Sequence, residues 1–313
     1  MLRKLLMLIA ITMVVISCQK DFTVEEVEPP VDPVNDSTLL KSYIELDTTL
    51  ASGNDTVSAH IYTYDTQKRM TMTTSRFEFD HATGIPGISY ILKFSYNGSD
   101  TLPYRITSIS SNFDGIEFYS YRDTAYFFYN TSGQRTRDSI TSMNAADNDY
   151  SVEVNRYSYS TGKMIVNGRV EYISGPSAPD LFESSDTLHI NVINGNTLSQ
   201  TDTSHDGLGE YTIEKLGFTY DTKINPFLLA QKMLNLTPVL HFEMDGWQLM
   251  QKNNPLQIAN TIKYFDATEV NFGRRFTYIY KSNNFPASVI VKEYDPGLGT
   301  ETFLCKGIFT YTQ

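Results

Sequence analysis

The densest set of potential ligands in the chain is Asp202-Thr203-Ser204-His205-Asp206-Gly207-Leu208-Gly209-Glu210. Oxygen-bearing side chains recur at Asp202, Ser204, Asp206 and Glu210, with Gly207 placed for a sharp turn. That is the early half of a calcium loop. The closing bidentate acid is missing, because Ile213 stands in its place, and the stretch also reads as a hairpin loop rich in turn formers. His60, His81, His189, His205 and His241 are scattered, with no paired His and third ligand at metal spacing. There is no nucleophile elbow, phosphate-binding loop or dinucleotide fingerprint. Carboxylates for glycoside hydrolysis are numerous, and the sequence singles out no pair. Trp247 can stack on a sugar but also suits a strand core. Cys305, placed on a strand face with Phe303, reads as a buried thiol rather than a nucleophile. The expectation is a protein without catalytic residues or cofactor.

The amino terminus carries a different chemistry. Arg3 and Lys4 precede an apolar run, Leu5 to Ile16, too short for a membrane span. The run ends in Val15-Ile16-Ser17-Cys18, which resembles a bacterial lipobox. The resemblance implies cleavage after Ser17 (residues 1–17 a signal peptide) and a diacylglyceryl group on the Cys18 sulfur, hence a membrane partner through that anchor. Gln19-Lys20-Asp21 resembles the export signal of Bacteroidota surface lipoproteins, which implies an outer-membrane protein facing outward. Residues 18–40 then read as a tether. Pro29, Pro30 and Pro33 lie among Asp21, Glu25, Glu26, Glu28, Asp32 and Asp36, and like charges with prolines keep a chain extended.

The chain has 25 basic and 36 acidic residues; without Arg3 and Lys4 the count is 23 against 36, a net charge of −13. Such a balance disfavours nucleic acid and anionic headgroups as partners. Cys18 and Cys305 are the only cysteines, so a lipidated Cys18 leaves no disulfide framework.

The elements that must position any site follow from a repeat. An aromatic, any residue, an aromatic and a polar turn recur. The phrase appears at Tyr62-Thr63-Tyr64-Asp65, Phe94-Ser95-Tyr96-Asn97, Phe127-Phe128-Tyr129-Asn130, Tyr157-Ser158-Tyr159-Ser160, Phe218-Thr219-Tyr220-Asp221, Tyr278-Ile279-Tyr280-Lys281 and Phe309-Thr310-Tyr311-Thr312. Weaker copies are Ile190-Asn191-Val192-Ile193 and Gln248-Leu249-Met250-Gln251. The steps run from 28 to 33 residues, so nine units share one period. Each unit has room for two strands and two turns. Side chains alternate along a strand, so both members of each aromatic pair lie on one face. Residues 41–313 are therefore expected to form an all-β antiparallel meander of up to about eighteen strands, curled into a barrel because a sheet of that size leaves edges unpaired. Asn225 as N-cap and Pro226 at the first helical position predict one short helix over 226–234.

The aromatic-x-Tyr-Asp phrase resembles the YD-type repeats of bacterial surface proteins. The stretch from Phe218 to Phe227, with Asn253-Asn254-Pro255 and Asn283-Asn284-Phe285-Pro286, resembles a family of Bacteroidota lipoproteins described as having a porin-like fold. The resemblance implies a barrel-like fold and no activity. The expected role is non-enzymatic, binding or structural, at the cell surface, with an extracellular glycan or protein as partner. An enzyme acting on polysaccharide and an outer-membrane pore are the alternatives; the pore requires an unbroken apolar belt on the outer face.

Overall fold

Thr, Ser, Tyr, Phe, Ile and Val in alternation favour extended chain, and the Asn, Asp and Gly clusters between them supply reversals. A computed structural model of the chain describes residues 38–49, 55–79, 86–113, 118–144, 149–173, 182–205, 210–227 and 252–312. All belong to one unit, Ser37–Gln313. They form sixteen strands: β1 (Leu40–Asp47), β2 (Asp55–Tyr64), β3 (Met70–Phe79), β4 (Pro86–Ser95), β5 (Arg105–Phe113), β6 (Phe118–Tyr129), β7 (Arg135–Asn144), β8 (Asp149–Ser160), β9 (Lys163–Ile173), β10 (Phe182–Ile193), β11 (Asn196–His205), β12 (Tyr211–Ile224), β13 (Asn253–Tyr264), β14 (Glu269–Tyr280), β15 (Pro286–Asp295) and β16 (Thr300–Tyr311).

Each strand pairs with its sequence neighbours, and β1 pairs antiparallel with β16, with Tyr43 opposite Phe309. The sheet is a closed barrel and has no free edge. Eight of the nine aromatic phrases fall at the ends of even-numbered strands, one per hairpin unit. The ninth, Gln248–Gln251, lies outside the described residues. It falls between β12 and β13, which pair directly through Phe218 and Ile258. Sixteen strands rather than eighteen follow from that. Likewise only Pro226 and Phe227 of the expected helix are described, both helical. Asn225 does act as the N-cap, its Oδ1 accepting from the Phe227 amide at 3.0 Å.

The aromatic pairs face inward. Tyr62, Phe94, Phe127, Tyr157, Phe218 and Phe309 are buried, whereas the intervening Phe128 and Ile279 are 43% and 62% exposed. Burying each such side chain contributes about 1.5–3 kcal/mol. The second tyrosines have a further task. Short turns join β2 to β3, β4 to β5 and so on at this rim, so β1 and β2, or β3 and β4, meet there without a covalent link. Tyrosine hydroxyls fasten these open junctions. Tyr64 donates to the Leu40 carbonyl at 2.8 Å, Tyr96 to Met70 at 2.7 Å, Tyr129 to Pro103 at 2.9 Å, Tyr220 to Thr197 at 2.5 Å and Tyr311 to Pro286 at 2.8 Å. The repeat thus encodes the core and, at these five junctions, the latch as well.

Phe227 packs on Tyr43, Tyr62 and Phe309, with ring centroids 5.6, 6.4 and 6.0 Å away. Gly307 makes room for Tyr43: a Cβ there would fall 2.4 Å from the tyrosine ring and 2.7 Å from Val289.

Candidate functional site

Strand alternation and register divide the wall into two chemically distinct faces. Four dipeptides carry the division: Arg122-Asp123, Arg137-Asp138, Glu214-Lys215 and Lys292-Glu293. In each, the acid shares the face of the buried core and the base takes the outer face. Asp123 lies two residues from buried Ala125, Asp138 two from buried Ile140, Glu214 two from Leu216 of the core, and Glu293 two from buried Val291. Glu45, Glu153, Asp186 and Asp202 take the same inward parity by register: Glu45 opposite Ser58, Glu153 opposite Ile140, Asp202 opposite Leu188 and Glu214, and Asp186 two residues before Leu188. Among the described strand side chains, Arg135 and Arg274 are the cations that face them.

Three clusters stand out on the inner face. On β1 to β3, the Tyr43 hydroxyl donates to Glu45 Oε1 at 2.9 Å, and Ser58 Oγ donates to Glu45 Oε2 at 2.7 Å. Ser58 Oγ lies 3.3 Å from His60 Nε2, and His60 Nδ1 lies 2.9 Å from Ser75 Oγ. The chain resembles an acid–serine–histidine array, but the carboxylate bonds a serine rather than the imidazole. Nothing orients the ring as a triad base would require. Burial lowers the His60 pKa, against a smaller opposing pull from Glu45, which favours a neutral ring between two hydroxyls. His60 is therefore part of the buried wall, a placement that one sequence gave no means to find. His189 and His205 are exposed; His81 and His241 lie outside the described residues.

The second cluster holds a buried ion pair. Arg135 Nη1 lies 3.4 Å from Asp138 Oδ2 and 3.4 Å from the Tyr157 hydroxyl. Tyr157 donates to Asp138 Oδ2, and Asn155 Nδ2 donates to Asp138 Oδ1 at 3.0 Å and to Glu153 Oε1 at 2.6 Å. The Arg135 guanidinium also sits 4.5 Å above the Phe127 ring. Burial lifts the Asp138 carboxyl above its ordinary range, despite Arg135 and its hydrogen-bond donors.

The third lies on β11 to β13 and contains two of the expected ligands. Asp202 pairs with Glu214 across the ladder, which sets their Cβ atoms about 4.5–5.5 Å apart. Asn260 Nδ2 donates to Glu214 Oε1 at 2.5 Å. Ser204 follows two residues along β11. Glu210 immediately precedes β12 and is exposed, and Asp206, like Gly207, lies outside the described residues. Asp202 and Ser204 are thus extended strand residues, not the start of a coordinating loop. Among the described residues no three His, Cys, Asp or Glu side chains are grouped to hold a metal.

The motifs that carry the family resemblance converge at the exit of β12. Asp221 Oδ1 accepts from the Lys223 amide at 2.9 Å and the Asn254 amide at 3.1 Å, and its other oxygen takes the Tyr280 hydroxyl. Asn253 Nδ2 donates to the Lys223 carbonyl at 2.9 Å, and Lys223 Nζ donates to Asn284 Oδ1 at 2.7 Å. These side chains saturate one another and replace ladder bonds where the chain leaves the sheet. Their arrangement is that of a bracket. Burial, then Asp221, raises the Tyr280 phenol pKa.

Cys305 is a buried thiol outside any disulfide among the described residues. A bulge at Leu304 sets Cys305 opposite Val291 and Phe303 opposite Lys292, so the simple alternation between Phe303 and Cys305 is broken. Cys305 owes its burial to the core around Val291. Cys18 and Trp247 lie outside the described residues.

No family model and no curated protein matches the chain. Two crystal structures resemble it. A porin-like protein from Bacteroides vulgatus ATCC 8482 has 11% sequence identity and a TM-score of 0.49, covering 88% of this chain and 99% of its own. A porin-like protein from Bacteroides uniformis ATCC 8492 has 14% identity and a TM-score of 0.48, covering 88% and 97%.

Proposed function

We propose that the chain is a lipid-anchored barrel of the outer membrane whose sheet stands in water outside the bilayer, with a binding rather than a catalytic role. The anchor is Cys18, and the acidic tether after it carries the barrel clear of the membrane. The observation that carries the reading is the outer face. Arg122, Arg156, Arg169, Arg275, Lys292 and Lys306 occupy the middle thirds of their strands with outward parity. A midplane cation on the lipid face of a barrel costs about 2–4 kcal/mol. Six such residues amount to about 12–24 kcal/mol, as much as or more than the whole stability of an ordinary domain, about 5–15 kcal/mol. In water the same residues cost nothing.

The test is the solution behaviour of residues 38–313 made without the leader and Cys18. A β-rich monomer that stays dispersed without detergent supports the reading. A product extracted only by detergent overturns it and puts the pore first. Labelling of the full chain with a radioactive fatty acid, abolished by Cys18→Ser, tests the anchor. The enzymatic alternative has one specific pair to examine, Asp202 and Glu214. If the purified protein depolymerises a polysaccharide and Glu214→Gln abolishes the release of reducing ends, the chain is a hydrolase.

A further inference from the structure

Three adjacent strands bring oxygen ligands together on the inner wall. Glu214 of β12 has Asp202 of β11 as its direct cross-strand partner, and on its other side it accepts a hydrogen bond from Asn260 of β13. Asp202 and Glu214 are like charges in direct register, which is destabilising by itself. Glu214 forms no ion pair among the described residues. The frame around the cluster is apolar. Asp202 stands opposite Leu188, Glu214 opposite Ile262, and Asn260 opposite Leu216 and Phe272. Asn260 carries the second, independent observation. It is 8% exposed, and its Nδ2 donates to Glu214 Oε1 at 2.5 Å, which fixes the way the amide points. The Oδ1 atom of the same amide is therefore held beside the Glu214 carboxylate. That oxygen has no solvent contact and accepts no hydrogen bond. A buried acceptor without a donor is rare in a folded protein and calls for a partner.

We infer that Asp202, Glu214 and the Asn260 amide oxygen hold one calcium ion in the barrel wall. A cation between the carboxylates offsets their repulsion and gives Oδ1 its partner. The donors are all oxygens, with no thiolate or imidazole, a set that selects hard cations over zinc or copper. Size then separates the hard cations. A water or an ammonium donor sits about 2.7–3.2 Å from an acceptor, whereas a calcium ion sits about 2.3–2.6 Å away. An oxygen closed to solvent suits the closer ligand. Magnesium keeps several of its own waters, which the closed Oδ1 disfavours. Asp202 and Glu214 are half-buried, so water reaches the remaining positions from the lumen. A carboxylate has about four lone-pair sites, so a hydrogen bond it already accepts leaves others for the ion. The ligands come from three strands side by side, not from the loop that ligand spacing along the chain suggests, and Ser204 and Glu210 take no part.

The test is calorimetric titration of calcium chloride into the purified full chain in mild non-ionic detergent, after treatment with EDTA and desalting. The expected result is one calcium per chain, bound with a Kd below about 1 mM and at least tenfold more tightly than magnesium. Glu214→Gln, which is isosteric and keeps an oxygen for Asn260 Nδ2, should weaken binding tenfold or more, as should Asp202→Asn. Asn260→Leu should weaken it several-fold. Glu301→Gln on the outer wall and Glu25→Gln/Glu26→Gln in the acidic tether should change it less than twofold, all with the parent far-UV spectrum. Saturating calcium should raise the thermal midpoint of the parent by several degrees and leave that of Glu214→Gln unmoved. Absence of saturable binding, magnesium binding as tight as calcium, or parental affinity in both Glu214→Gln and Asp202→Asn overturns the inference. Detergent in every sample and the absence of any glycan keep this outcome separate from the solubility and hydrolysis tests of the barrel itself.

Discussion

The buried pair Arg135–Asp138 makes the sharpest energetic test of the inner wall. Arg135 and Asp138 side chains are 0% and 1% exposed. Asp138→Ala removes the counter-charge and leaves a guanidinium with no water to solvate it. Breaking a buried pair from one side costs about 3–5 kcal/mol, a large share of a stability of about 5–15 kcal/mol. Arg135→Met should cost less. The carboxyl left behind keeps its donors Tyr157 and Asn155, and its pKa, already raised by burial, lets it take up a proton. Arg135→Met/Asp138→Ala removes both charges and is expected to cost about 1–2 kcal/mol, less than Asp138→Ala alone, because a buried pair seldom outweighs its own desolvation. The coupling between the two sites should therefore reach about 2–3 kcal/mol. Equilibrium unfolding of residues 38–313 in urea, followed by circular dichroism at pH 7, measures all four corners of the cycle. A loss under about 1 kcal/mol for Asp138→Ala, or additive losses, would refute the claim that the pair is dry and mutually dependent.

Other outcomes follow from the same geometry. Tyr96→Phe deletes the hydroxyl that holds the Met70 carbonyl; urea unfolding should show a loss of about 1 kcal/mol, with the β3–β4 junction exchanging amide hydrogens faster. Gly307→Ala forces a methyl against Tyr43 and Val289, an overpacking expected to cost about 1–3 kcal/mol in the same assay. His60 has its pKa lowered by burial, so its contribution is complete above the unfolded value of about 6.5 and is lost as pH falls toward the folded pKa. Stability should decline between pH 7 and 5 by no more than about 1.4 kcal/mol per pH unit from this residue, and His60→Gln should flatten that slope.

Much of the barrel is legible in the sequence because one period repeats. The phrase ending in Tyr64, Tyr96 or Tyr129 states where an even strand stops, which face is apolar and where the chain turns. The strand number was less legible. The copy at Met250 matches the period as well as Val192 does, and only the direct pairing of β12 with β13 shows that the ring closes without it. Local pattern counts candidate hairpins, while closure is a property of the whole sheet. The site was harder for a related reason. Ligand spacing drew attention to Asp202, Ser204, Asp206 and Glu210 as though they lay on a loop. Two of them, Asp202 and Ser204, are on β11, where residues two apart share a face but stand about 6.8 Å apart, too far to close on one ion as a loop would. Conversely, Ser58, His60 and Ser75 come from two strands, and Arg135, Asp138 and Tyr157 from two more, with contacts that only register creates.

One signal was present and unread. Arg122-Asp123, Arg137-Asp138, Glu214-Lys215 and Lys292-Glu293 look like neutral pairs when charges are counted along the chain. In a strand, adjacent side chains project to opposite faces. Each dipeptide therefore sends its charges through the wall in opposite directions, the acid in and the base out. Net charge, which argued against nucleic acid and anionic headgroups as partners, sums over both faces and over the acidic tether. It says nothing about what a ligand meets on one face. Parity relative to the aromatic phrases would have shown it: Arg137 precedes buried Ile140 by three residues and Asp138 by two. For a closed barrel the useful quantity is charge by face, and each of these four dipeptides puts its acid on the core face and its base on the outer one.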